Sequence, residues 1–423
     1  MFRSIIGTIF SKGLTAISNL ATLLITAKFL GAYGRGEMVI ILLGITIVGV
    51  FQNIFSGAVL TYLIPRFSFR KLLVISGIWN VLMAATLPFA LVYTDLFPAH
   101  YLKDLIYLSF TLGMIAQIQS SLIGFEKILK QNIIEISRAV TLAFFLLLFI
   151  VIYKDFSIDS VITSLYYSYF TTLFIALVFI SPLVIQGSSP ANPYKKNIFS
   201  QFLKIGFQMQ LNNISQMINY RFCYYLIEKV LGLAALGIFS VATSLVEVIW
   251  IISRSISMIH YSKSVNLKDE SKQVRLTQKL AIMSFTLTVP SLVILFLLPN
   301  ELFSFVLGNE FNNFKPLFLT LSPGVLLLAT FTILNHHFSG VEKNIVNVKA
   351  SLIGNVITII VGLLTIHAFG ILAGGIATSM GYLGMFIYLF WKFNHDYQLS
   401  NGWFALSKRK VKESFNLKEF EAH

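Results

Sequence analysis

One cysteine in 423 residues leaves no disulfide framework and no thiolate cluster for a metal. That cysteine, Cys223, lies inside an apolar segment. Charge is scarce as well: charged residues make up 12% of the chain, about half of the roughly 25% that a soluble domain carries. So little solvating surface excludes a soluble enzyme, and the short polar connections leave no room for an appended globular domain. What fills the chain is hydrophobic, 56% of residues at a mean hydropathy of +0.78. The apolar runs are continuous over about 20 residues rather than alternating over about ten, which argues against a β-barrel. The pattern predicts an all-α polytopic membrane protein.

Twelve spans are expected, at 5–29, 38–64, 72–94, 105–124, 132–153, 161–185, 200–227, 236–260, 277–299, 316–338, 347–368 and 370–393. Their breaks are punctuated by Gly31-Ala-Tyr-Gly-Arg-Gly36, Pro65-Arg66, Pro98, Lys154-Asp155 and Pro299-Asn300. The first apolar stretch follows Arg3 as in a signal peptide. Lys12 interrupts it, however, apolar character continues to Leu30, and no small-x-small site follows, so a retained helix is expected.

The formal net charge is +14. In a membrane protein this reflects cytoplasmic loops rich in Lys and Arg, not nucleic-acid binding. Of the 32 Lys and Arg, 22 fall in the N-terminal flank, alternate connections and the tail, 6 on the opposite side (Lys28, Arg35, Lys103, Lys154, Lys229, Lys315) and 4 within spans. That alternation predicts cytoplasmic termini.

The longest soft stretch, Gln186 to Lys196, is rich in Gly, Ser and Pro and falls between spans six and seven. The expected organisation is an N-lobe at 1–185, a cytoplasmic linker at 186–199, a C-lobe at 200–394 and a basic cytoplasmic tail at 395–423. A shift of 201 residues aligns Lys28-Phe-Leu-Gly-Ala-Tyr-Gly-Arg-Gly36 with Lys229-Val-Leu-Gly-Leu-Ala-Ala-Leu-Gly237. Both follow the first helix of a half. Six is an even number, so the halves enter the membrane in the same direction, as parallel repeats.

Ionisable groups inside spans cost roughly 2.5–3.5 kcal/mol each at mid-helix, so they mark the places to look for function. They are Lys12, Glu135, Arg138, Arg221, Glu247 and Arg254. Glu135 and Arg138 are three apart and expected to pair with each other. Lys12 is read as sharing a polar face with Ser11, Thr15, Ser18 and Asn19. Glu247 and Arg254 are about 10 Å apart along a straight helix, so Glu247 needs another partner, a cation or a proton. Span seven is unusually polar: Gln208, Asn212, Gln216 and Asn219 form a row that leads to Arg221. Amides tie helices together at well under 2 kcal/mol per bond, but this many suits a cavity holding sugar and phosphate. Gly31-x-x-Gly34-x-Gly36 is no nucleotide loop, because it follows a membrane helix and not a strand. His336 and His337 are adjacent rather than i,i+4 and make no metal site.

Leu30-Gly-Ala-Tyr-Gly-Arg-Gly-Glu37, Tyr220-Arg-Phe-Cys-Tyr-Tyr-Leu-Ile227 and Leu236-Gly-Ile-Phe-Ser-Val-Ala242 resemble the polysaccharide-export branch of the MOP (MATE-like) superfamily. So do Pro323-Gly324 and Phe338-Ser-Gly-Val-Glu-Lys343. The Wzx-type flippases of O-antigen and capsule repeat units match in length and helix number. The resemblance implies two six-helix lobes around a central cavity lined largely by spans one, two, seven and eight. It implies a lipid-linked oligosaccharide moved by alternating access across the bacterial cytoplasmic membrane, with membrane lipids and a polysaccharide polymerase as partners and no cofactor. In that frame Lys12, Arg221, Arg254, Asn212, Gln216 and Asn219 are the substrate-binding candidates, and Glu247 is the candidate for proton or sodium coupling. Many relatives carry an Asp two residues after the Arg of span seven; here that position is Cys223. Two rival readings are a multidrug or cation antiporter of the same superfamily and a membrane-embedded polymerase or acyltransferase. Neither clustered catalytic acids nor a large external loop supports the last.

Overall fold

The computed structural model describes residues 2–187, 197–266, 269–312, 315–341 and 343–398; within these, the side chains of 2–10, 212, 252, 258, 259 and 261–266 fall outside the description. Every regular element among the described residues is helical. The linker core at 188–196 and the tail from 399 lie outside the described residues.

Helix α1 runs Phe2–Ser56 and is broken once, at Gly31 (φ 69°, ψ −171°). The loop expected at 31–36 is therefore a single residue in a conformation that only glycine adopts cheaply. The helix restarts at Ala32, whose N–H donates to the carboxylate of Glu310. That carboxylate supplies the charged cap the new helix N-terminus needs. Arg35, counted above as an exterior loop cation, is instead buried in α1. Its Nη1 donates to Thr26 Oγ1 at 2.9 Å and its Nε to Ser240 Oγ at 3.4 Å.

The expected second span is split, with most of it inside α1 and its end forming the short α2 (Ala58–Leu63). The expected span at 132–153 is α5 (Ile128–Leu146) continued by a π-helical stretch at Leu147–Ile152. The others among the first eight follow their expected spans more closely: α3 (Phe69–Tyr93), α4 (Leu102–Gly124), α6 (Ile158–Gln186), α7 (Ile198–Leu231) and α8 (Leu233–Asn266). Then come α9 (Glu270–Leu297), a short unforeseen α10 (Asn300–Leu307), α11 (Lys315–Gly340), α12 (Asn344–Phe369) and α13 (Ile371–Asp396). Among the described residues, ten helical segments are long and apolar enough to cross a membrane. The chain is a multi-pass membrane protein. The first segment, Ser11–Leu63, has 53 residues, about 80 Å at 1.5 Å per residue. That exceeds twice the roughly 30 Å hydrocarbon core. Helix α7 is not among the ten, because its amides dilute its apolar character.

The chain divides into two compact units: Met1–Met217 with Tyr224–Val241 and Asn300–Asn313, and Ile218–Cys223 with Ala242–Pro299 and Phe314–His423. In the first unit α1 packs on α3, α4 and α5. Gln52 Nε2 donates to Ser109 O at 3.2 Å, and Trp79 stacks on Phe55 at 4.3 Å between ring centroids. The aligned glycines meet here. A Cβ on Gly36 would lie 2.0 Å from Leu233 O, and one on Gly237 would lie 1.8 Å from Ala32 O. Residues 36 and 237, 32 and 233, and 31 and 232 are each separated by the same 201 positions that align the sequence. Gly232 has a positive φ of 85°, like Gly31. The sequence repeat is thus a reciprocal backbone contact between α1 and α8.

In the second unit α11, α12 and α13 pack closely on small residues. Ser379 Oγ accepts from Gly324 N at 3.0 Å, the kind of contact that lets membrane helices approach.

Candidate functional site

In the first unit the charge in the spans resolves into one ion pair. Lys12 Nζ on α1 lies 2.6 Å from Glu135 Oε1 on α5, and Gln131 Nε2 donates to Glu135 Oε2 at 3.2 Å. The expected Glu135–Arg138 pair does not form. Arg138 hydrogen-bonds Tyr169 on α6 instead, and Glu135 takes the cation facing it across the helix interface. Nor does Lys12 share a face with Ser11, Thr15 and Ser18. Those three, with Thr22 and Thr26, form a buried row, while Lys12 and Asn19 are exposed. At 100° per residue the two rows are neighbours on the helix but not the same stripe. The buried row ends where Thr26 meets Arg35.

Helix α7 splits its amides between two roles. Gln210 is buried and its Oε1 accepts from Asn213 Nδ2 at 3.0 Å, whereas Gln208 is exposed and Gln216 half-buried. The Asn212 side chain lies outside the described residues. Asn219 is buried and its Nδ2 donates to Ser351 O on α12 at 2.9 Å. Asn219 is therefore an interhelical tie in the second unit. Cys223 is buried beside Thr378 Oγ1 at 3.5 Å, as a packing residue.

The second unit collects the rest. Arg221 Nη1 lies 3.5 Å from Glu247 Oε1, with side chains 33% and 37% exposed. This is the partner that Glu247 lacked within its own helix. Arg254 is exposed and stacks on Trp250, 3.9 Å from guanidinium carbon to ring centroid. Trp250 is fixed by its Nε1–H, which donates to Thr332 Oγ1 at 2.9 Å, and by Tyr220 at 5.5 Å. Among the described residues no carboxylate pairs with Arg254. The charge was visible in the sequence; its aromatic seat was missed, although Trp250 precedes it by one helical turn. The cluster of Tyr220, Arg221, Glu247, Trp250 and Arg254 offers guanidinium donors for an anion and ring faces for a sugar.

His336 and His337 point to different surroundings. His337 is buried and hydrogen-bonded to Thr277 at 2.8 Å and Tyr397 at 3.0 Å. Among the described residues no three His, Cys, Asp or Glu side chains are placed to hold a metal ion.

Residues 67–316 match a family model described as "Polysaccharide biosynthesis protein". No curated protein matches the chain significantly in sequence. Solved structures share its fold. A MATE-family multidrug resistance transporter of the MOP superfamily, in an inward-facing conformation, is 12% identical with a TM-score of 0.70, covering 91% of this chain and 96% of its own. The lipid II flippase MurJ in an inward closed conformation is 15% identical with a TM-score of 0.72, covering 93% and 87%. A MOP superfamily transporter from Pyrococcus furiosus, described as having a binding pocket of reverse polarity, is 13% identical with a TM-score of 0.59, covering 93% and 94%.

Proposed function

The chain belongs to the polysaccharide biosynthesis protein family, and on that premise we propose that it is a flippase for undecaprenyl-pyrophosphate-linked oligosaccharide repeat units. It would serve O-antigen, capsule or exopolysaccharide synthesis in the bacterial cytoplasmic membrane, working by alternating access and handing its product to a polysaccharide polymerase. The MOP-transporter fold and the MurJ likeness support this reading. The observation that carries it is Arg254: an exposed cation on a membrane helix, seated on an aromatic ring, with no acid beside it among the described residues. Such a charge is retained at a cost unless an anion visits it. A pyrophosphate is such an anion, and Arg221, in the same unit, adds donors for it. An exporter of organic cations would place acids, not Arg254, at the open position.

We further propose twelve crossings, counting Ser11–Leu63 as two and adding α7, with six helices in each of two lobes at 1–185 and 200–394. The Arg221–Glu247 pair gives the coupling step its logic. When the substrate's anion takes Arg221, Glu247 loses its counter-charge, and a proton or sodium ion replaces it.

Flipping of a lipid-pyrophosphate-linked saccharide into proteoliposomes tests the substrate reading. Losing a charge-assisted contact costs about 2 kcal/mol or more, roughly 30-fold in rate. Arg254→Gln is expected to show that loss, with Lys12→Gln and Arg221→Gln also impaired. Parent rates in all three, at normal protein levels, would make those cations structural.

Topology has its own test. A cysteine at Ser189, in a Cys223→Ser background, should resist membrane-impermeant reagents in intact cells, because the linker is expected on the cytoplasmic side. Labelling from outside would invert the orientation.

A further inference from the structure

The second unit carries a basic groove that the transport reading does not use. It lies between the start of α12 and the end of α13, has a volume of about 670 Å3, and is lined by Lys343, Lys349, Tyr388, Lys392, His395 and Asp396, with Ile345 and Val346 at its apolar end. Asp396 organises it. Its side chain is only 12% exposed and holds Lys392 Nζ at 2.7 Å and Lys343 Nζ at 3.1 Å. His395 Nδ1 lies 3.6 Å from the same carboxylate. Two ammonium groups therefore share one carboxylate, which fixes both in place without neutralising the pair. Lys349 is exposed and makes no ion pair among the described residues.

The surroundings say what kind of anion fits. Trp391 is exposed and lies 6.3 Å from Tyr388 and 5.5 Å from His395 between ring centroids. Trp and Tyr beside lysines at the end of a spanning helix mark the level of lipid headgroups. Ile345 is also exposed, beside the lysines on α12. A free anion has no use for apolar side chains next to its phosphate, whereas a phospholipid presents both chemistries together. Basic pockets between membrane helices are a recognised seat for such headgroups.

We propose that this groove binds the phosphodiester headgroup of an anionic phospholipid, held by Lys343, Lys349 and Lys392, with its acyl chains along Ile345 and Trp391. The site stands independently of the flippase reading.

Binding is measured on the purified full-length chain in a neutral detergent, by native mass spectrometry and thermal shift, with phosphatidylglycerol, cardiolipin and phosphatidylcholine. The anionic lipids should be retained in preference to phosphatidylcholine and should raise the melting temperature. Each lysine near the headgroup contributes about 1 kcal/mol, so Lys349→Gln should weaken retention roughly fivefold, and Lys349→Gln with Lys392→Gln by more. Phosphatidylcholine retention should not change. Lys392 helps hold Asp396, so Lys349→Glu serves as the variant that leaves that ion pair intact. Equal retention of anionic and zwitterionic lipids would overturn the proposal, as would unchanged retention in Lys349→Glu. A thermal shift produced equally by inorganic phosphate would overturn the lipid assignment.

Discussion

Alanine at Gly36 or at Gly237 is expected to abolish transport while leaving the helices inserted. The added methyl would sit about 2 Å from a backbone carbonyl of the opposite helix in either case, 2.0 Å from Leu233 O or 1.8 Å from Ala32 O. A backbone oxygen cannot swing aside as a side chain can, so α1 and α8 must separate by an ångström or more. Overpacking of this kind typically costs about 1–3 kcal/mol, small against the insertion energy of two apolar helices but large for a junction that must close. Cysteine placed at Ala32 or at Leu233, in a Cys223→Ser background, reports the outcome. Labelling should be slow in the parent and fast in Gly36→Ala and Gly237→Ala, and both variants should fail in proteoliposome flipping. Unchanged labelling with parent flipping rates would show that the contact is incidental. Because the contact is reciprocal, the two single variants should behave alike, and the double variant little worse than either.

Glu247→Gln is expected to uncouple. The change keeps size and hydrogen bonding but removes the charge 3.5 Å from Arg221. Both side chains are about one-third exposed, so the effect on stability should be modest, below about 1 kcal/mol. The effect on transport should be large, because Glu247 would no longer exchange Arg221 for a proton or cation when substrate arrives. The measurement is flipping with a pH or sodium gradient imposed in either direction. The parent should respond to one gradient, and Glu247→Gln should respond to neither. A variant that keeps both rate and gradient response would make the pair structural. Arg221→Gln with Glu247→Gln separates the cases further, since restored flipping without coupling would show that a lone Arg221 was the obstacle.

The spans were legible because a bilayer asks for one simple property, apolar length, and helices α3, α4 and α6 begin and end within a few residues of the apolar runs. The connection between the first two spans was not. Six residues rich in glycine read as a loop, but Gly36 is there to admit the backbone of α8, and the break itself needs Gly31 alone. Charges were legible as positions and illegible as pairs. Local spacing offered Glu135 to Arg138, three residues on, and the fold gave it Lys12, 123 positions away. It likewise gave Arg221 to Glu247, and hid Arg35 among hydroxyls. Asn219 read as one of a polar row, and only the fold shows that its Nδ2 ties α7 to the α12 backbone. The Arg254–Trp250 pair, one turn apart, was within reach of sequence reasoning.

The cap on Ala32 sets a timetable for biosynthesis. Helix α1 leaves the ribosome long before the carboxylate that satisfies its restart, which belongs to Glu310, 278 residues later. At about 5–20 residues per second, translation takes roughly 15–60 s to deliver it. During that interval the second half of α1 has an open N-terminus and Gly31 has nothing to hold its turn. The insertion machinery therefore handles α1 with an uncapped restart until Glu310 has been made.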